Sequence, residues 1–392
     1  MKVLFTTHPA YGHFQPLLPL ARALRSAGHD VRVAASERFQ PVIEAAGLKG
    51  IAAGLNWLEA DKSTVPDHLK PSPDSTLEEY FAQQFVAAPA ELLAHDVVVR
   101  AGEWSPDLVV RERTEFGGAI AADALGIPSA AVQVASPSLI TPAVLAAVDA
   151  PYNAARAALG LSEDRALRQL ESRVVLSFSP PELHAPGGPR PSQFLSFRPA
   201  PGDQAPDSVL PDWAQRLGED RPLVYATLGT VFNNPSYELP FFPAVLGALR
   251  NEPVDLVVTV GPNVDPRLLG QQPDHVHIVS YLPQGVIVAK AAAIVCHGGF
   301  GTLVSAIVAG VPLVVVPFGA DQFINAESVG RLAIGLVLEE EEADAERMRS
   351  AIRSVLDEPA WRQNIEQLRD AGERLPGLPE AVATLERLVA RD

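Results

Sequence analysis

Short β-branched runs alternate with longer apolar stretches of helical period from the first residues onward, and this alternation leaves few folds open. "KVLFTT" reads as a buried strand, "FQPLLPLARALRSAG" as a helix ending at Gly28, "HDVRVAAS" as a second strand and "RFQPVIEAAG" as a second helix. Strands separated by a helix cannot form a hairpin; they lie parallel, with the helices crossing over the sheet. "PDLVVRE", the helical stretch around "GGAIAADALG" and "IPSAAVQVA" continue the rhythm. A second series runs through "PLVYATLGT", "DLVVTVG", "VHIVSYLP", "AAIVCHGG", "VPLVVVPFG" and "IGLVL". The fold class is therefore α/β, with two doubly wound parallel sheets of Rossmann type.

The 392 residues exceed what one hydrophobic core usually spans and suit two domains of roughly 150 to 200 residues. The proline-rich, aperiodic "FRPAPGDQAPDSVLPDW" reads as a linker, with the boundary near Pro201 to Pro206. This gives a first domain over 1–203, a second domain over 204–375, and a terminal helix over 376–392 expected to pack back on the first domain. Asn56 to Pro73, polar and punctuated by proline, reads as a long loop rather than core. Open parallel sheets bind ligands at the carboxyl ends of their strands, so two such sheets predict a shared cleft.

Charge narrows the partners. A formal charge of -16 opposes a nucleic-acid groove or an anionic membrane surface, both of which need clustered Lys and Arg. No apolar run approaches the ~20 residues of a membrane span, and no secretory leader pattern follows Met1, so the expectation is a soluble cytoplasmic protein, a monomer or homodimer. Cys296 is the only cysteine, which excludes an intramolecular disulfide and a multi-cysteine zinc site. The acidic run Glu339 to Glu342 with Asp344 reads as a solvated helix start.

Two strand-to-helix turns carry the chemistry. "CHGGFGT", Cys296 to Thr302, places glycines between a strand and a helix, where unpaired helix N–H groups can meet a phosphate. The Thr302 hydroxyl and His297 add donors, and "TLGT" over Thr227 to Thr230, with Gly229, forms a second small-residue turn able to close on the same anion. Tight helix–strand packing would also explain glycines here. The first turn, "TTHPAYGHFQP", sets His13 at a helix start after the first strand, a position that disfavours imidazolium and suits a proton acceptor. Such a histidine needs an orienting carboxylate on its other nitrogen; Glu112, ending the strand "PDLVVRE", supplies it, with Glu115 as substitute if the register shifts. His8, before Pro9, reads as a structural hydrogen-bonding residue.

The segment from Tyr281 to Gln322 closely resembles the nucleotide-sugar signature of family 1 glycosyltransferases of the GT-B type, particularly bacterial enzymes that glycosylate natural products. The resemblance rests on aromatic-x-Pro-Gln at Tyr281 to Gln284, His-Gly-Gly-x-Gly-Thr at 297–302, Gly-x-Pro at 310–312 and Pro-x-x-x-Asp-Gln at 317–322, and it extends to the amino-terminal turn. It implies that Tyr281 and Gln284 lie at the base and sugar ring of the nucleotide. His297, Gly299, Phe300, Gly301 and Thr302 would hold the diphosphate, and Asp321 and Gln322 the donor-sugar hydroxyls. Plant relatives using UDP-sugars carry a glutamate where this chain has Ser305; its absence leans toward a TDP-sugar co-substrate. Tyr281 also stands where tryptophan is frequent. The family's general base matches His13, and Glu112 stands where many relatives have aspartate. No Asp-x-Asp occurs, so no metal and no other cofactor is expected.

For the acceptor, Trp57, Tyr80, Phe81 and Phe85 around the long loop, with the apolar stretch Ser136 to Val148, favour a hydrophobic small-molecule aglycone over a polar polymer. The expected activity is inverting transfer of a hexose or deoxyhexose to that aglycone. Two alternatives share the architecture: a nucleotide-sugar 2-epimerase, which needs no acceptor, and a non-catalytic partner protein.

Overall fold

The computed structural model describes all residues except 60, 62, 71, 73–74, 172, 186–192, 203–208, 231–239, 262–263 and 391–392. The chain forms two compact units. The first comprises Met1–Phe178, Pro186–Arg198 and Leu375–Asp392; the second comprises Ser179–Ala185 and Pro199–Arg374. The boundary expected at 203/204 lies outside the described residues.

The first unit holds a parallel sheet of β1 (Lys2–Thr6), β2 (Asp30–Ala35), β3 (Lys49–Ala52), β4 (Leu108–Glu112), β5 (Ser129–Val132), β6 (Val174–Ser177) and β7 (Phe194–Ser196). Their order is β3-β2-β1-β4-β5-β6-β7. The second unit holds β8 (Leu223–Thr227), β9 (Asp255–Thr259), β10 (Val276–Val279), β11 (Ala293–Cys296), β12 (Leu313–Val315) and β13 (Gly335–Val337), ordered β10-β9-β8-β11-β12-β13. All registered pairs are parallel, and both sheets are doubly wound in Rossmann fashion.

Helices cover both faces of such sheets, so the central strands are continuously apolar and buried: β4, β5, β8 and β11 have no exposed position. All six strands read in the second half are present. In the first half β3, β6 and β7 escaped the sequence pattern; β3 is a four-residue edge strand containing Lys49 and Gly50, and β7 is three residues long, too short for a clear alternation. The terminal helix Leu378–Val389 belongs to the first unit, where Glu386 Oε1 lies 3.1 Å from His29 Nε2. The acidic run forms a short turn at Glu340–Glu342, after which Asp344 caps the next helix by accepting from the backbone N–H of Glu346 and Arg347.

Each sheet reverses its winding between two neighbouring strands: β1 and β4 in the first, β8 and β11 in the second. At such a reversal the following helices diverge to opposite faces and leave a crevice above the strand ends. His13 follows β1 and Glu112 ends β4. Thr227 ends β8, and His297 follows β11. The residues singled out from sequence therefore flank the two reversal points.

Candidate functional site

In the first unit the turn after β1 enters a helical run that begins at Tyr11, three residues earlier than the apolar pattern suggested, and tightens to a 3₁₀ turn at Gln15–Leu17 where Pro16 interrupts it. His13 lies inside the first turn of that run, not ahead of it. Its Nδ1 is 2.9 Å from Glu112 Oε1 across the sheet reversal. The other carboxylate oxygen, Oε2, accepts from the Thr114 backbone N–H and from the Thr114 hydroxyl, each at 2.6 Å. Glu112 is fully buried. Burial alone would raise its carboxyl, but the charge and hydrogen bond of His13, the charge of His8 and the Thr114 bonds outweigh burial and hold it at about 2. An ionised Glu112 accepts, so Nδ1 carries a hydrogen, and in the neutral ring Nε2 keeps the lone pair.

Glu115 does not reach His13. It turns to the start of the helix Gly117–Leu125, accepting from the Gly118 N–H at 3.0 Å and from the Thr6 hydroxyl at 2.5 Å. Burial pushes it up to about 7 against the Thr6 bond, with the Glu112 charge adding to the rise and Arg111 opposing it. A side chain at 118 would have its Cβ 2.2 Å from Thr6 Oγ1, so glycine is required for this packing. His8 is also buried. Its Nε2 lies 3.2 Å from the Thr114 carbonyl, which accepts a hydrogen bond, and burial lowers the ring to about 4.

The aromatic candidates gather beside the two histidines but do not share one exposure. Trp57 and Phe81 are each 2% exposed. Trp57 packs with Val65 and Leu69, giving the long loop a small core of its own, and meets His8 edge-on at 6.3 Å. Phe81 meets Phe116 edge-on at 6.2 Å. Phe85 lies nearly parallel to the His13 ring, centroids 5.8 Å apart and planes at 28°, and it contacts Tyr80 and Phe81. It is presented from a one-turn π-helix, Ala82–Val86, a rare irregularity that often marks functional positions. Sequence reasoning missed Thr114, although a hydroxyl two residues after a strand-end carboxylate was visible in "ERT", and it missed Glu59. Glu59 Oε2 stands 3.8 Å from His13 Nε2, and "NWLEAD" gives no periodic signal for that placement.

In the second unit the glycine turn is assembled from neutral parts. His297 is buried, which lowers it to about 4 against a hydrogen bond with the Thr227 backbone. Its ring fills the space beside Gly229 and Gly299; a Cβ at either would come within 2.7 Å and 2.4 Å of the imidazole. Gly298 has φ +83°, and a Cβ there would meet Val315 Cγ1 at 2.8 Å. The turn is pinned by Asn325, whose Nδ2 donates to the Gly298 carbonyl at 2.9 Å. With that carbonyl engaged, the backbone N–H groups opening the helix Phe300–Ala309 are the donors this turn can aim at an anion. Under β8 a hydroxyl chain, Tyr225, Thr259 and Thr227, ends with the Gly229 N–H donating to Thr227 Oγ1 at 3.1 Å; Thr230 next to it is exposed.

Gln284 Nε2 donates to Thr302 Oγ1 at 3.4 Å, bringing two of the expected nucleotide contacts together. Ser305, one turn after Thr302, is buried. Tyr281, expected at the nucleotide base, is 74% exposed. Asp321 is half-buried, while Gln322 is buried with its Oε1 accepting from the Phe318 and Gly319 N–H groups, so only its Nε2 hydrogens can be offered to a sugar. Ala320, just before them, holds φ +53°, a conformation alanine rarely adopts and one found where local structure fixes a functional turn. Cys296 is buried and its thiol pushed up to about 12 by burial, as befits an inert strand-end residue. Among the described residues no cluster of three His, Cys, Asp or Glu is placed to hold a metal ion, and no helix is long and apolar enough to cross a membrane.

Residues 22–229 match the N-terminal domain of the erythromycin biosynthesis protein CIII-like family, and residues 244–388 match its C-terminal domain. L-demethylnoviosyl transferase of Streptomyces niveus is 32% identical, over 98% of this chain and 97% of that one. TDP-daunosamine transferase DnrS of Streptomyces peucetius is 30% identical, over 100% and 97%. The crystal structure of the glycosyltransferase VinC in complex with DTDP superposes with a TM-score of 0.76 at 26% identity, covering 100% of both chains.

Proposed function

The chain belongs to the erythromycin biosynthesis protein CIII-like family and is a glycosyltransferase of GT-B fold, and from that premise we propose that it moves a hexose or deoxyhexose from a TDP-sugar to a hydrophobic natural-product aglycone, with inversion and without a metal ion. The observation that carries this reading is the His13–Glu112 pair at 2.9 Å, in which a buried, ionised carboxylate fixes the imidazole with Nε2 as the proton acceptor. Nε2 takes the proton of the acceptor hydroxyl. The freed oxygen attacks the anomeric carbon as the bond from that carbon to the diphosphate oxygen breaks, and TDP departs. One displacement inverts the anomeric configuration.

The glycine turn of the second unit receives the charge that leaves. Backbone N–H groups opening the helix Phe300–Ala309, with Thr302 and the Gly229–Thr230 turn, bind the diphosphate; Tyr281 and Gln284 hold the nucleoside, and Asp321 and Gln322 the sugar. A helix start can meet a diphosphate without a cation, which supports metal independence; EDTA should leave turnover unchanged, and a Mg²⁺-reversible loss would contradict it. TDP as the nucleotide is supported by Ser305 and by the thymidine nucleotides in the names of the relatives. We place the protein in the cytoplasm as a monomer or homodimer. The test is mass spectrometry of products from TDP- and UDP-sugars offered with phenolic and polyketide aglycones. Conversion of the donor without an acceptor would favour an epimerase, and no donor binding a non-catalytic partner.

A further inference from the structure

Resting on the reading of His13 as the base, we infer that Glu59 is a specificity-determining residue which selects acceptors carrying a second polar hydrogen beside the hydroxyl that is glycosylated. Glu59 Oε2 stands 3.8 Å from His13 Nε2, on the side opposite Glu112, with the His13 and Glu59 side chains 17% and 16% exposed. That spacing is too long for a hydrogen bond between the two and short enough for one bound group to touch both.

The placement is built into the backbone. The Glu59 N–H donates to the Pro9 carbonyl at 3.2 Å, which ties its loop to the turn carrying His8 and leading into His13. Just before it, the Trp57 carbonyl accepts from the Ser36 hydroxyl at 2.8 Å and the Leu58 N–H donates to Thr64 Oγ1 at 2.8 Å, while Trp57 itself is fixed in the loop's own core. Among the described residues, the charged or titratable groups placed around the His13 ring include Glu112 from β4, His8 from the same turn, and Glu59.

A hydroxyl that gives its proton to Nε2 must come within about 2.6 to 3.2 Å of that nitrogen. Any atom so placed can lie within hydrogen-bond reach of Oε2, because the two acceptor atoms are only 3.8 Å apart. The reacting hydroxyl has one hydrogen, and Nε2 takes it. The oxygen left behind then gains negative charge beside a carboxylate, which repels it. A neighbouring O–H or N–H on the acceptor changes the sign of this contact: it donates to Glu59, anchors the acceptor and turns the reacting oxygen toward Nε2. The substrate class is thus a hydrophobic ring system with two adjacent hydroxyls, or a hydroxyl beside an amine.

The experiment compares 2,3-dihydroxyanthraquinone with 2-hydroxyanthraquinone in the wild type, Glu59→Gln and Glu59→Ala, by kcat/KM with a TDP-sugar and by calorimetric binding with TDP present. The wild type should favour the dihydroxy compound by roughly tenfold or more, the range of a hydrogen bond to a charged group. Glu59→Ala should bring the two within about threefold, mainly by weakening the dihydroxy acceptor, which loses its hydrogen bond, with a smaller gain for the monohydroxy one. Glu59→Gln, which keeps the shape, guards against a folding defect. An unchanged preference in both variants, or equal behaviour of the wild type toward the two compounds with absence of binding included, overturns the inference. His13→Ala run alongside separates the two readings: if it keeps wild-type turnover, the base assignment fails whatever the Glu59 ratio shows.

Discussion

The turn above β1 and β4 and the turn above β8 and β11 occupy the same place in their sheets and are built from opposite materials. Around the first, His8, Arg111, Glu112, Arg113 and Glu115 are all buried, with His13 half-buried beside them. Around the second, burial is confined to neutral groups: Thr227, Thr259, His297, Thr302, Ser305, Gln322 and Asn325. Among its described residues the second unit buries no Asp, Glu, Lys or Arg. The contrast follows from what each would do. Moving a proton at neutral pH needs titratable groups whose values are set by neighbours, whereas holding a diphosphate needs N–H donors and no carboxylate to repel it.

Breaking the pair in the first turn should have the largest effect on rate. Glu112→Gln keeps the volume but removes the charge that holds the His13 tautomer, and kcat should fall by about 10²-fold or more while TDP affinity stays within twofold. Steady-state kinetics beside calorimetry reads both. In the second turn, Gly298→Ala forces a Cβ into the left-handed region at φ +83° and against Val315, a strain of about 1 to 2 kcal/mol that the turn can relieve only by moving; TDP affinity should drop about tenfold.

Stability should separate the two carboxyl groups of the first turn by pH. Glu112, held below its ordinary 4.5, contributes stability that is complete above about pH 4.5 and lost as pH falls toward 2. Glu115, pushed up to about 7, works the other way: its ionisation opposes folding, an effect absent below about 4.5 and complete above 7. Glu115→Gln should therefore raise Tm by several degrees at pH 8 and have little effect at pH 4, as thermal melts would show. The smallest effect concerns the base. On the proposed reading, Ser305 would offer the extra ribose hydroxyl of UDP at most one neutral hydrogen bond, so the preference between TDP- and UDP-glucose should stay below about tenfold, and Ser305→Glu, checked by melting curve, should move it toward UDP.

The second unit was the more legible of the two. Its strands sit inside apolar runs bounded by turn residues, and its turn is announced by glycines, of which Gly298 and Gly299 leave no room for a Cβ. In the first unit the proposed chemistry rests on residues far apart in sequence: His13 and Glu112 meet because β1 and β4 are sheet neighbours, which alternation implies but does not register. Glu59 was invisible because its position is set by backbone hydrogen bonds of an irregular loop, which leave no period in the sequence. Trp57 and Phe81 looked like ligand-facing aromatics, yet composition does not tell which aromatic beside a loop packs inward. Phe85 reaches the His13 ring through a π-turn that local propensity does not encode.

The division of labour between the turns is tested most directly in His13→Ala, with TDP binding measured by calorimetry beside turnover of a TDP-sugar. General-base assistance is typically worth about 10² to 10⁴ in rate, so turnover should fall by that factor while the TDP Kd stays within about twofold of wild type. Wild-type turnover in the variant, or a TDP affinity that collapses with it, would contradict the assignment of proton transfer to the first turn and diphosphate binding to the second.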